Sequence, residues 1–314
     1  MTERMRFALF GHPVRHSVSP AIHAAAIRVS GLPHAYAAID APSEASLRRL
    51  VGEVRRGAFH GANVTLPYKR LVLSMVDVVA PAAAEVGAAN VLTRTADGRV
   101  VADNTDVAAL VEELGELLGA RAHQRAVVLG AGGAGLSAVA ACRRLDFPVV
   151  AVTSRSWTGT ESVYEADTAV ECRRLGALAM PWPSEADALP MGGKASQVLR
   201  MQWSELALRA DLIVQATSAG MRGGPPGEDA ARVVPWQHVF AKPAVYDVVY
   251  NPFETVFLRE ARARGLTASG GLGMLVRQAA ASWTMWTGQP APLEAMRDAA
   301  ERALLAMDVG REVT

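Results

Sequence analysis

The fold of this chain is decided by RAVVLGAGGAG, residues 125–135. The first five residues predict a buried strand, because strands of a parallel sheet are covered on both faces and form continuous apolar runs. The next six residues fit the pattern G-x-G-x-x-G, and a helical stretch follows from Ala134 to Leu145. A second apolar strand at Val149–Thr153 completes a βαβ unit of roughly the 30 residues that this motif needs. The sequence therefore predicts an α/β protein with a Rossmann-like domain built on a parallel sheet.

The glycines of this loop have separate physical tasks. Gly130 permits a tight turn, Gly132 lets the backbone approach a pyrophosphate, and Gly135 allows the helix to pack closely on the strand. The start of the helix then offers unpaired N–H groups and the positive end of its dipole to phosphates. A purely structural glycine-rich turn is the alternative, which the flanking strand and helix disfavour. The expected cofactor contacts in this loop are Gly130, Ala131, Gly132, Gly133 and Ala134.

The end of the second strand indicates which dinucleotide binds. An NAD site usually has an acidic residue there, which accepts hydrogen bonds from the ribose 2′-hydroxyl. This chain has Ser154, Arg155 and Ser156 instead. A guanidinium can pair with a 2′-phosphate, so the sequence favours NADP and leaves NAD possible. The alternative is that Arg155 is an ordinary surface charge.

Before this unit, the first third of the chain alternates strand-like and helix-like segments. Ser19-Pro20 predicts a helix start, with the Ser19 side chain as the cap and proline at the first helical position. Asp97-Gly98 is a strong hairpin turn signal between two short strands. The predicted strands are Arg6–Gly11, Tyr36–Ile39, Gly61–Thr65, Asn90–Arg94 and Val100–Ala102, and the predicted helices are Pro20–Val29 and Ser43–Arg56.

Further elements are predicted on both sides of the dinucleotide loop. A helix starts at Thr105-Asp106 and runs to about Leu118, near the first domain boundary. The segment from Trp157 to about Met201 is rich in glycine, proline and serine, and only a loop at Gly192-Gly193 is assigned there. The remaining predicted elements are strands at Leu212–Gln215 and Ala244–Asp247, a helix from Gly270-Gly271 to about Trp286, and a helix at Leu293–Met307.

The bulk properties limit the class of protein. A chain of 314 residues is long enough for two domains, and its composition, half hydrophobic and 20% charged, is globular. A net charge of +1 shows no electrostatic footprint for nucleic acid or an anionic membrane. Cys142 and Cys172 lack metal-ligand spacing and are expected to be buried thiols. The N-terminus, Met1 to Arg6, has no apolar segment of signal-peptide length, and no uninterrupted apolar run is long enough to span a membrane, so we expect a cytoplasmic protein.

Polar clusters mark the strand ends and loops of the N-terminal region. They are Ser17 with Ser19, Asn63 with Thr65 and Lys69, Asn90, and Asn104-Thr105-Asp106. Taken singly, each has a plain explanation as a helix cap, a turn residue or a solvated lysine. Together they supply hydroxyls, amides, one ammonium and one carboxylate, which suits a small polyhydroxylated acid. His12 and His16, four residues apart, do not predict a metal site, because Pro13 makes a shared helical face improbable.

The chain resembles the shikimate dehydrogenase family at a series of segments that occur in family order between about residues 7 and 290. The matching segments are GHP at 11–13 with HSVSP at 16–20, GANVTLPYK at 61–69, GAAN at 87–90, DNTD at 103–106, ATSAGM at 216–221, YDVVY at 246–250 and GGLGMLVRQ at 270–278. Each is short, but together they are highly specific.

The resemblance implies a two-domain enzyme. Residues 1–106 would form the substrate-binding and catalytic domain, completed by C-terminal helices at about 270–314, and residues 107–269 the Rossmann-like NADP-binding domain. The implied reaction is the reversible reduction of 3-dehydroshikimate to shikimate, in the chorismate and aromatic amino-acid pathway. Lys69 and Asp106 would hold the reacting hydroxyl. Lys69 would either carry the proton or stay charged and stabilise negative charge that develops on oxygen.

The resemblance also implies the remaining contacts. The expected substrate ligands are Ser17 and Ser19, which would bind the carboxylate, with Asn63, Thr65, Asn90, Tyr250 and Gln278. The expected cofactor contacts outside the glycine loop are Ser154, Arg155, Ser156, Thr217, Val248 and Gly271. We expect no metal, nucleic acid or membrane partner, and a monomer and a homodimer fit equally well. The two domains would close over the substrate to exclude water.

Several positions depart from the usual family pattern. Val107 stands where glycine is common, Gln215 stands where asparagine is usual, and the turn around Arg155 lacks the second basic residue often found there. The departures in the turn around Arg155 leave open a quinate/shikimate or aminoshikimate dehydrogenase with relaxed or NAD preference. A catalytically silent NADP-binding regulatory module is the alternative outside enzymes. The retained lysine and aspartate argue against it, because a binding module needs no proton-transfer pair.

Overall fold

The computed structural model describes residues 3–121, 123–158, 160–183, 202–239 and 242–309. The chain separates into two compact units. Unit 1 joins Met1–Ala109 to Gly273–Thr314, and unit 2 is Leu110–Leu272. Among the described residues, each unit builds one six-stranded sheet, which confirms the α/β class expected from the sequence. The loop predicted at Gly192-Gly193 lies outside the described residues.

The strands and helices are numbered in chain order. The strands are β1 (Arg6–Gly11), β2 (Ala35–Asp40), β3 (Gly61–Val64), β4 (Val78–Val79), β5 (Val91–Arg94), β6 (Val100–Asp103), β7 (Arg125–Leu129), β8 (Val149–Thr153), β9 (Leu178–Met180), β10 (Leu212–Gln215), β11 (Ala244–Asp247) and β12 (Ala268–Gly270). The helices are α1 (Ser19–Ser30), α2 (Glu44–Arg55), α3 (Pro81–Val86), α4 (Asp106–Leu118), α5 (Gly133–Arg144), α6 (Thr160–Glu165), α7 (Asp167–Arg174), α8 (residues 202–208), α9 (Glu228–Ala231), α10 (Val256–Arg262), α11 (Leu272–Thr287) and α12 (Leu293–Val309).

The sheet of unit 1 is mixed, with the strand order β2-β1-β3-β5-β6-β4. Strand β1 is parallel to both β2 and β3, whereas β5 runs antiparallel to β3 and to β6. In this register Val91, the first residue of β5, pairs with Asn63 on one side and with Asp103 on the other. The end of β3, the start of β5 and the end of β6 therefore meet at one edge of the sheet.

Helix α2 shows how sequence pattern becomes packing in unit 1. Ser43 caps the helix by accepting a hydrogen bond from the backbone N–H of Ser46. The buried side chains Leu47, Leu50, Val51 and Val54 follow the spacing of one helical face. They join the apolar cluster that covers one face of the unit 1 sheet. Burial of each such side chain contributes about 1.5–3 kcal/mol relative to leaving it exposed.

Trp286 of α11 packs on unit 1 through an unusually close approach to the backbone. Its ring stacks on Phe7 of β1, with the ring centroids 4.6 Å apart, and its Nε1–H donates to the carbonyl of Leu92 at 3.0 Å. Gly61 lies directly beneath: a Cβ added there would lie 2.3 Å from the indole nitrogen and 2.8 Å from the Leu92 carbonyl oxygen. The absence of a side chain at Gly61 is therefore what admits the indole.

The sheet of unit 2 has the strand order β12-β11-β10-β7-β8-β9, and every pair in it is parallel. Its central strand β7 is buried from Ala126 to Leu129 and its neighbour β10 throughout, as the apolar run at Arg125–Leu129 predicted. Helix α5 follows β7 and leads to β8, so the βαβ unit predicted around the glycine-rich loop is confirmed. Cys142 on α5 and Cys172 on α7 are both buried, also as predicted.

The start of α1 differs from the expectation. Helix α1 begins at Ser19 itself, its N-cap position is Val18, and no side chain caps it. Val18 already has helical backbone angles, so helical geometry begins one residue earlier than the Ser-Pro pair indicated. Ser17 accepts the Ser19 backbone N–H through its hydroxyl at 3.2 Å. The prediction that the Ser19 side chain caps the helix is therefore wrong, and its hydroxyl is not used for that purpose.

Short elements account for what the sequence analysis missed. Strands β4, β9 and β12 and the helices α3, α6, α7, α8, α9 and α10 were not assigned from the sequence, and three of them, β9, α6 and α7, lie between Trp157 and Met201. None exceeds eight residues, which gives too few repeats of the helical or the strand period for a pattern to be recognised.

Within the part of the chain that the structure describes, no helix combines the length and the apolar character needed to cross a membrane.

Replacement of Gly61 by alanine tests the packing of Trp286. The new methyl group meets an indole and a backbone carbonyl, so we expect the free energy of unfolding to fall by about 1–3 kcal/mol. Gly115→Ala is the matched control, because a Cβ there meets only a Leu145 methyl at 3.8 Å and alanine favours the helix. Thermal unfolding of both variants measures the difference. Equal melting temperatures for the two variants would contradict the packing argument.

Candidate active site

Lys69 and Asp106 form a short ion pair inside unit 1. The ammonium of Lys69 donates to Oδ2 of Asp106 at 2.7 Å, and the two side chains are 16% and 2% exposed. Lys69 lies on the loop after β3, where its carbonyl accepts the backbone N–H of Ala89 at 2.7 Å. Asp106 is the first residue of α4, where the helix dipole favours a carboxylate. Asn104 caps that helix by accepting the N–H of Val107 at 3.1 Å.

The side-chain amide of Asn90 holds this pair in place. Its Nδ2 has three acceptors that share its two hydrogens: Oδ1 of Asp106 at 2.8 Å, the Thr105 hydroxyl at 2.9 Å and Oε1 of Gln278 at 3.1 Å. Its Oδ1 accepts the backbone N–H of Thr105 at 2.8 Å. With Lys69 on one carboxylate oxygen and Asn90 on the other, Asp106 is fixed at both ends. The structure thus brings together four residues that the sequence analysis named: Lys69, Asn90, Asp106 and Gln278.

Asn63 is held more firmly than a simple ligand residue. Its Nδ2 donates to the Ser282 hydroxyl at 2.8 Å and to the Asn90 carbonyl at 3.3 Å, and its Oδ1 accepts the Tyr36 hydroxyl at 2.9 Å. Both amide hydrogens are therefore already used inside the protein. Ser282 and Tyr36 were not identified from the sequence. The signal for Ser282 was its position four residues after Gln278, which places the two on one face of α11.

The other expected substrate ligands occupy separate places. The hydroxyls of Ser17 and Ser19 lie 3.1 Å apart at the start of α1, where one donates to the other. Thr65 follows β3 on the loop that leads to Lys69, and its backbone N–H donates to the Phe10 carbonyl at 2.9 Å. Tyr250 belongs to unit 2, where it follows β11.

The glycine-rich loop of unit 2 has the geometry that a bound pyrophosphate requires. Gly130 has φ +109°, and an added Cβ would lie 2.8 Å from the Ala216 carbonyl oxygen. A Cβ on Gly135 would lie 2.0 Å from the Gly130 carbonyl oxygen, so α5 packs directly on the turn. At Gly132, by contrast, a Cβ would meet nothing within 4 Å, and no side chain caps α5. The helix N-terminus is therefore open to a phosphate group, and these residues fit a dinucleotide.

The turn after β8 carries the residues expected at the adenosine ribose. The hydroxyls of Ser154 and Ser156 lie 3.1 Å apart. The guanidinium of Arg155 lies 4.0 Å from the carboxylate of Asp229 on α9, and both side chains are more than one-third exposed. The sequence analysis did not identify Asp229, which is distant in the chain.

A buried carboxylate orders the loops at the ends of β10 and β11. Asp247 accepts hydrogen bonds from Gln215 Nε2 at 3.2 Å, from the Thr255 hydroxyl at 2.6 Å and from the backbone N–H of Val249 at 2.9 Å. Gln215 in turn accepts the backbone N–H of Thr217. Burial raises the pKa of Asp247 from 3.8 to about 7, against the hydrogen bonds from Thr255 and Val249, which lower it.

Two residues expected near the nicotinamide lie side by side in unit 2. A Cβ on Gly271 would lie 2.1 Å from the Val248 carbonyl oxygen, so the two backbones approach as closely as a glycine allows. Outside these sites, His12 pairs with Asp40 at 2.8 Å and His16 accepts from Arg15 at 3.0 Å. The described residues contain no group of three histidine, cysteine or acidic side chains arranged to hold a metal ion.

The fold and these sites define the chain as a two-domain α/β oxidoreductase of the nicotinamide-dependent dehydrogenase class. Two family models match it: the shikimate dehydrogenase substrate binding domain at residues 9–92, and the shikimate 5′-dehydrogenase C-terminal domain at residues 271–301. The chain is also 37% identical over 300 residues to an NADP-type shikimate dehydrogenase of Thermus thermophilus, an alignment that covers 96% of this chain and 99% of the relative. The chain belongs to the shikimate dehydrogenase family.

Solved structures agree with this assignment. A shikimate 5-dehydrogenase from another strain of Thermus thermophilus, in complex with NADP(H) and shikimate, superposes with a TM-score of 0.74 at 35% identity, over 96% of this chain and all of the other. The quinate dehydrogenase of Corynebacterium glutamicum, in complex with NAD, gives a TM-score of 0.76 at 26% identity, over 95% and 99% of the two chains. Of these two neighbours, one was thus solved with NADP(H) and the other with NAD.

The raised pKa of Asp247 predicts a pH-dependent stability. Between pH 4 and about pH 7 the folded chain keeps a proton that the unfolded chain releases, so this residue's contribution to stability is lost as pH rises through that range. An asparagine does not titrate. We therefore expect the stability of Asp247→Asn relative to the unmodified chain to improve by roughly 1 kcal/mol per pH unit from pH 5 to 7. Urea unfolding across this range measures the trend.

Asp77→Asn is the control for that measurement. The hydrogen bond from Arg55 holds the pKa of Asp77 below its ordinary value, so its contribution is complete above that value and is lost only as pH falls. Its stability relative to the unmodified chain should therefore stay constant from pH 5 to 7. Parallel stability curves for Asp247→Asn and the unmodified chain over that range would rule out the burial effect.

Proposed function

We propose that this chain is an NADP-dependent shikimate dehydrogenase that reversibly reduces 3-dehydroshikimate to shikimate in the chorismate pathway. The observation that carries the proposal is the buried Lys69–Asp106 pair, which Asn90 and Gln278 hold in place. Such a pair is costly to bury, because both charges lose solvation. A site that transfers a proton to and from a substrate hydroxyl explains why this pair is buried despite the cost.

The chemistry at the reacting carbon needs one proton for each hydride. The bound nicotinamide supplies or accepts the hydride. During reduction, the ammonium of Lys69 donates a hydrogen bond to the carbonyl oxygen, on which negative charge develops. Lys69 then either transfers its proton to that oxygen or remains charged beside it while solvent supplies the proton. In both cases Asp106 orients the ammonium and accepts a hydrogen bond from the product hydroxyl.

The other polar residues recognise the rest of a small hydroxylated acid. Ser17 and Ser19, whose hydroxyls lie 3.1 Å apart, bind the substrate carboxylate. Thr65, Tyr250 and Gln278 hydrogen-bond the ring hydroxyls. Asn90, whose amide hydrogens are committed to Asp106, Thr105 and Gln278, accepts from a ring hydroxyl through its Oδ1. Asn63 borders this pocket, but its hydrogens are committed to Ser282 and the Asn90 carbonyl, so its main contribution is to hold the end of β3.

Unit 2 holds the dinucleotide in this proposal. Residues Gly130 to Ala134 contact the pyrophosphate. This is supported by the open space at Gly132 and by the start of α5, which no side chain caps. Ser154, Arg155 and Ser156 contact the adenosine ribose and its 2′-phosphate. Thr217, Val248 and Gly271 line the nicotinamide side. In this proposal, residues 1–106 and about 270–314 form the substrate domain, and residues 107–269 form the NADP domain.

One observation supports a second candidate, a quinate/shikimate dehydrogenase that also accepts NAD. Ser154 stands where an NAD site has its acid, but Asp229 places a carboxylate 4.0 Å from Arg155. A silent binding module has no comparable support, because it would carry the buried charge pair without using it.

Steady-state turnover tests the proposed function directly. The purified chain is supplied with shikimate or quinate, each with NADP⁺ or NAD⁺, and the absorbance of the reduced nicotinamide is followed. We expect the highest kcat/KM with shikimate and NADP⁺. Preference for quinate or NAD⁺ would assign the second candidate instead. No turnover of either acid, with dinucleotide still bound, would reject both.

Replacement of Lys69 tests the assigned chemistry. Lys69→Ala removes the ammonium that contacts the reacting oxygen, so kcat should fall by about 10²- to 10⁴-fold while NADP⁺ affinity stays unchanged. Arg70→Ala is the control, because it removes the neighbouring positive charge without touching the pair with Asp106. An unaltered kcat in Lys69→Ala would remove Lys69 from the mechanism.

A further inference from the structure

We propose that Asp229 sets the balance between NADP and NAD by acting on the guanidinium of Arg155 and on any phosphate that it binds. The proposal deepens the function given above and rests on it. Sequence rules place the deciding acid at the end of β8, where this chain has Ser154. The structure supplies a carboxylate to the same arginine from another element, α9.

The carboxylate and the guanidinium are close without being bonded. Nη1 of Arg155 and Oδ2 of Asp229 lie 4.0 Å apart, and the two side chains are 37% and 39% exposed. A pair so exposed contributes little to stability. Its effect falls instead on a third charge that approaches Arg155 from solvent.

Asp229 is held near Arg155 by a well-anchored helix. The residues that follow it, Ala230 and Ala231, are buried in the apolar cluster of unit 2. The Ala231 carbonyl accepts the indole N–H of Trp236 at 2.8 Å, and the N–H of Asp229 itself donates to the Pro226 carbonyl at 3.3 Å. The backbone at Asp229 therefore does not move freely away from the turn after β8.

NADP and NAD differ in how they interact with the carboxylate of Asp229. The 2′-phosphate of NADP carries most of two negative charges at neutral pH, like other phosphate monoesters. A phosphate oxygen hydrogen-bonded to Nη1 of Arg155 lies within the ~8 Å Debye length of the Asp229 carboxylate, which repels it. The 2′-hydroxyl of NAD carries no charge, and a carboxylate is the acceptor that NAD sites offer it. Asp229 therefore reduces the preference for NADP over NAD that Arg155 creates.

The size of the effect follows from screened electrostatics. Two negative charges on the phosphate, several ångströms from a carboxylate in largely aqueous surroundings, give a repulsion that changes affinity by about three- to tenfold. The effect is electrostatic, so it should shrink as salt is added.

Binding of two adenosine nucleotides to the full chain isolates the 2′-phosphate from all nicotinamide chemistry. The probes are 2′,5′-ADP and 5′-AMP, measured by calorimetry at low and high salt. Asp229→Asn should bind 2′,5′-ADP about three- to tenfold more tightly than the unmodified chain, with 5′-AMP affinity the same or weaker, and the gain should fade at high salt. In an Arg155→Gln background the same substitution should change 2′,5′-ADP affinity less.

Glu228→Gln is the matched control, because it removes the same charge from the exposed neighbouring residue of the same helix. A gain no larger in Asp229→Asn than in Glu228→Gln would overturn the proposal, and so would a loss of 2′,5′-ADP affinity in Asp229→Asn. Failure of the proposed function is a separate result: the unmodified chain would bind 2′,5′-ADP and yet turn over neither shikimate nor quinate.

Discussion

The buried ion pair between Lys69 and Asp106 is the constraint on which the arrangement of unit 1 depends. Each charge loses several kcal/mol of solvation when it leaves water, and mutual attraction offsets this loss only when the remaining polar atoms are hydrogen-bonded. Asp106 is 2% exposed, so its second oxygen needs a donor, which Asn90 supplies. Asn90 is fixed in turn by Thr105 and Gln278. Removal of any partner would leave a buried polar atom unsatisfied, so the cluster is specified as a whole.

The topology of the mixed sheet makes this cluster possible. Lys69 follows β3, Asn90 precedes β5 and Asp106 follows β6, and the antiparallel pairing of β5 with both neighbours brings these three strand ends to one edge. An all-parallel order would place the start of β5 at the opposite edge from the ends of β3 and β6. Helix α11 then contributes Gln278 and Ser282 from the far end of the chain. The site therefore requires both segments of unit 1.

Local signals were enough to predict the glycine loop, and they were not enough elsewhere. Gly130, Gly132 and Gly135 act within a single turn, so the pattern around them fixes both the βαβ unit and its purpose. The Ser19 cap was wrong because Val18 is already helical, which a Ser-Pro pair does not reveal. The partnership of Asn63 with Ser282 spans 219 residues, and no periodicity within one element predicts which distant side chain receives a hydrogen bond. A pattern within one turn was thus enough for the glycine loop, whereas the partners of Asn63 could not be predicted from any single element.

Dinucleotide preference illustrates the same limit. A rule based on the residue at the end of β8 treats the choice between NADP and NAD as a property of one turn. Charged side chains from other elements also act on the same site through space. Strands β10, β7 and β8 are parallel neighbours, so the connections after β10 and β8 leave the sheet at the same edge. The connection after β10 carries Thr217 and continues to Asp229, which lies 4.0 Å from Arg155. Substitutions on that connection can therefore change the electrostatic field at Arg155 while the strand-end motif stays the same.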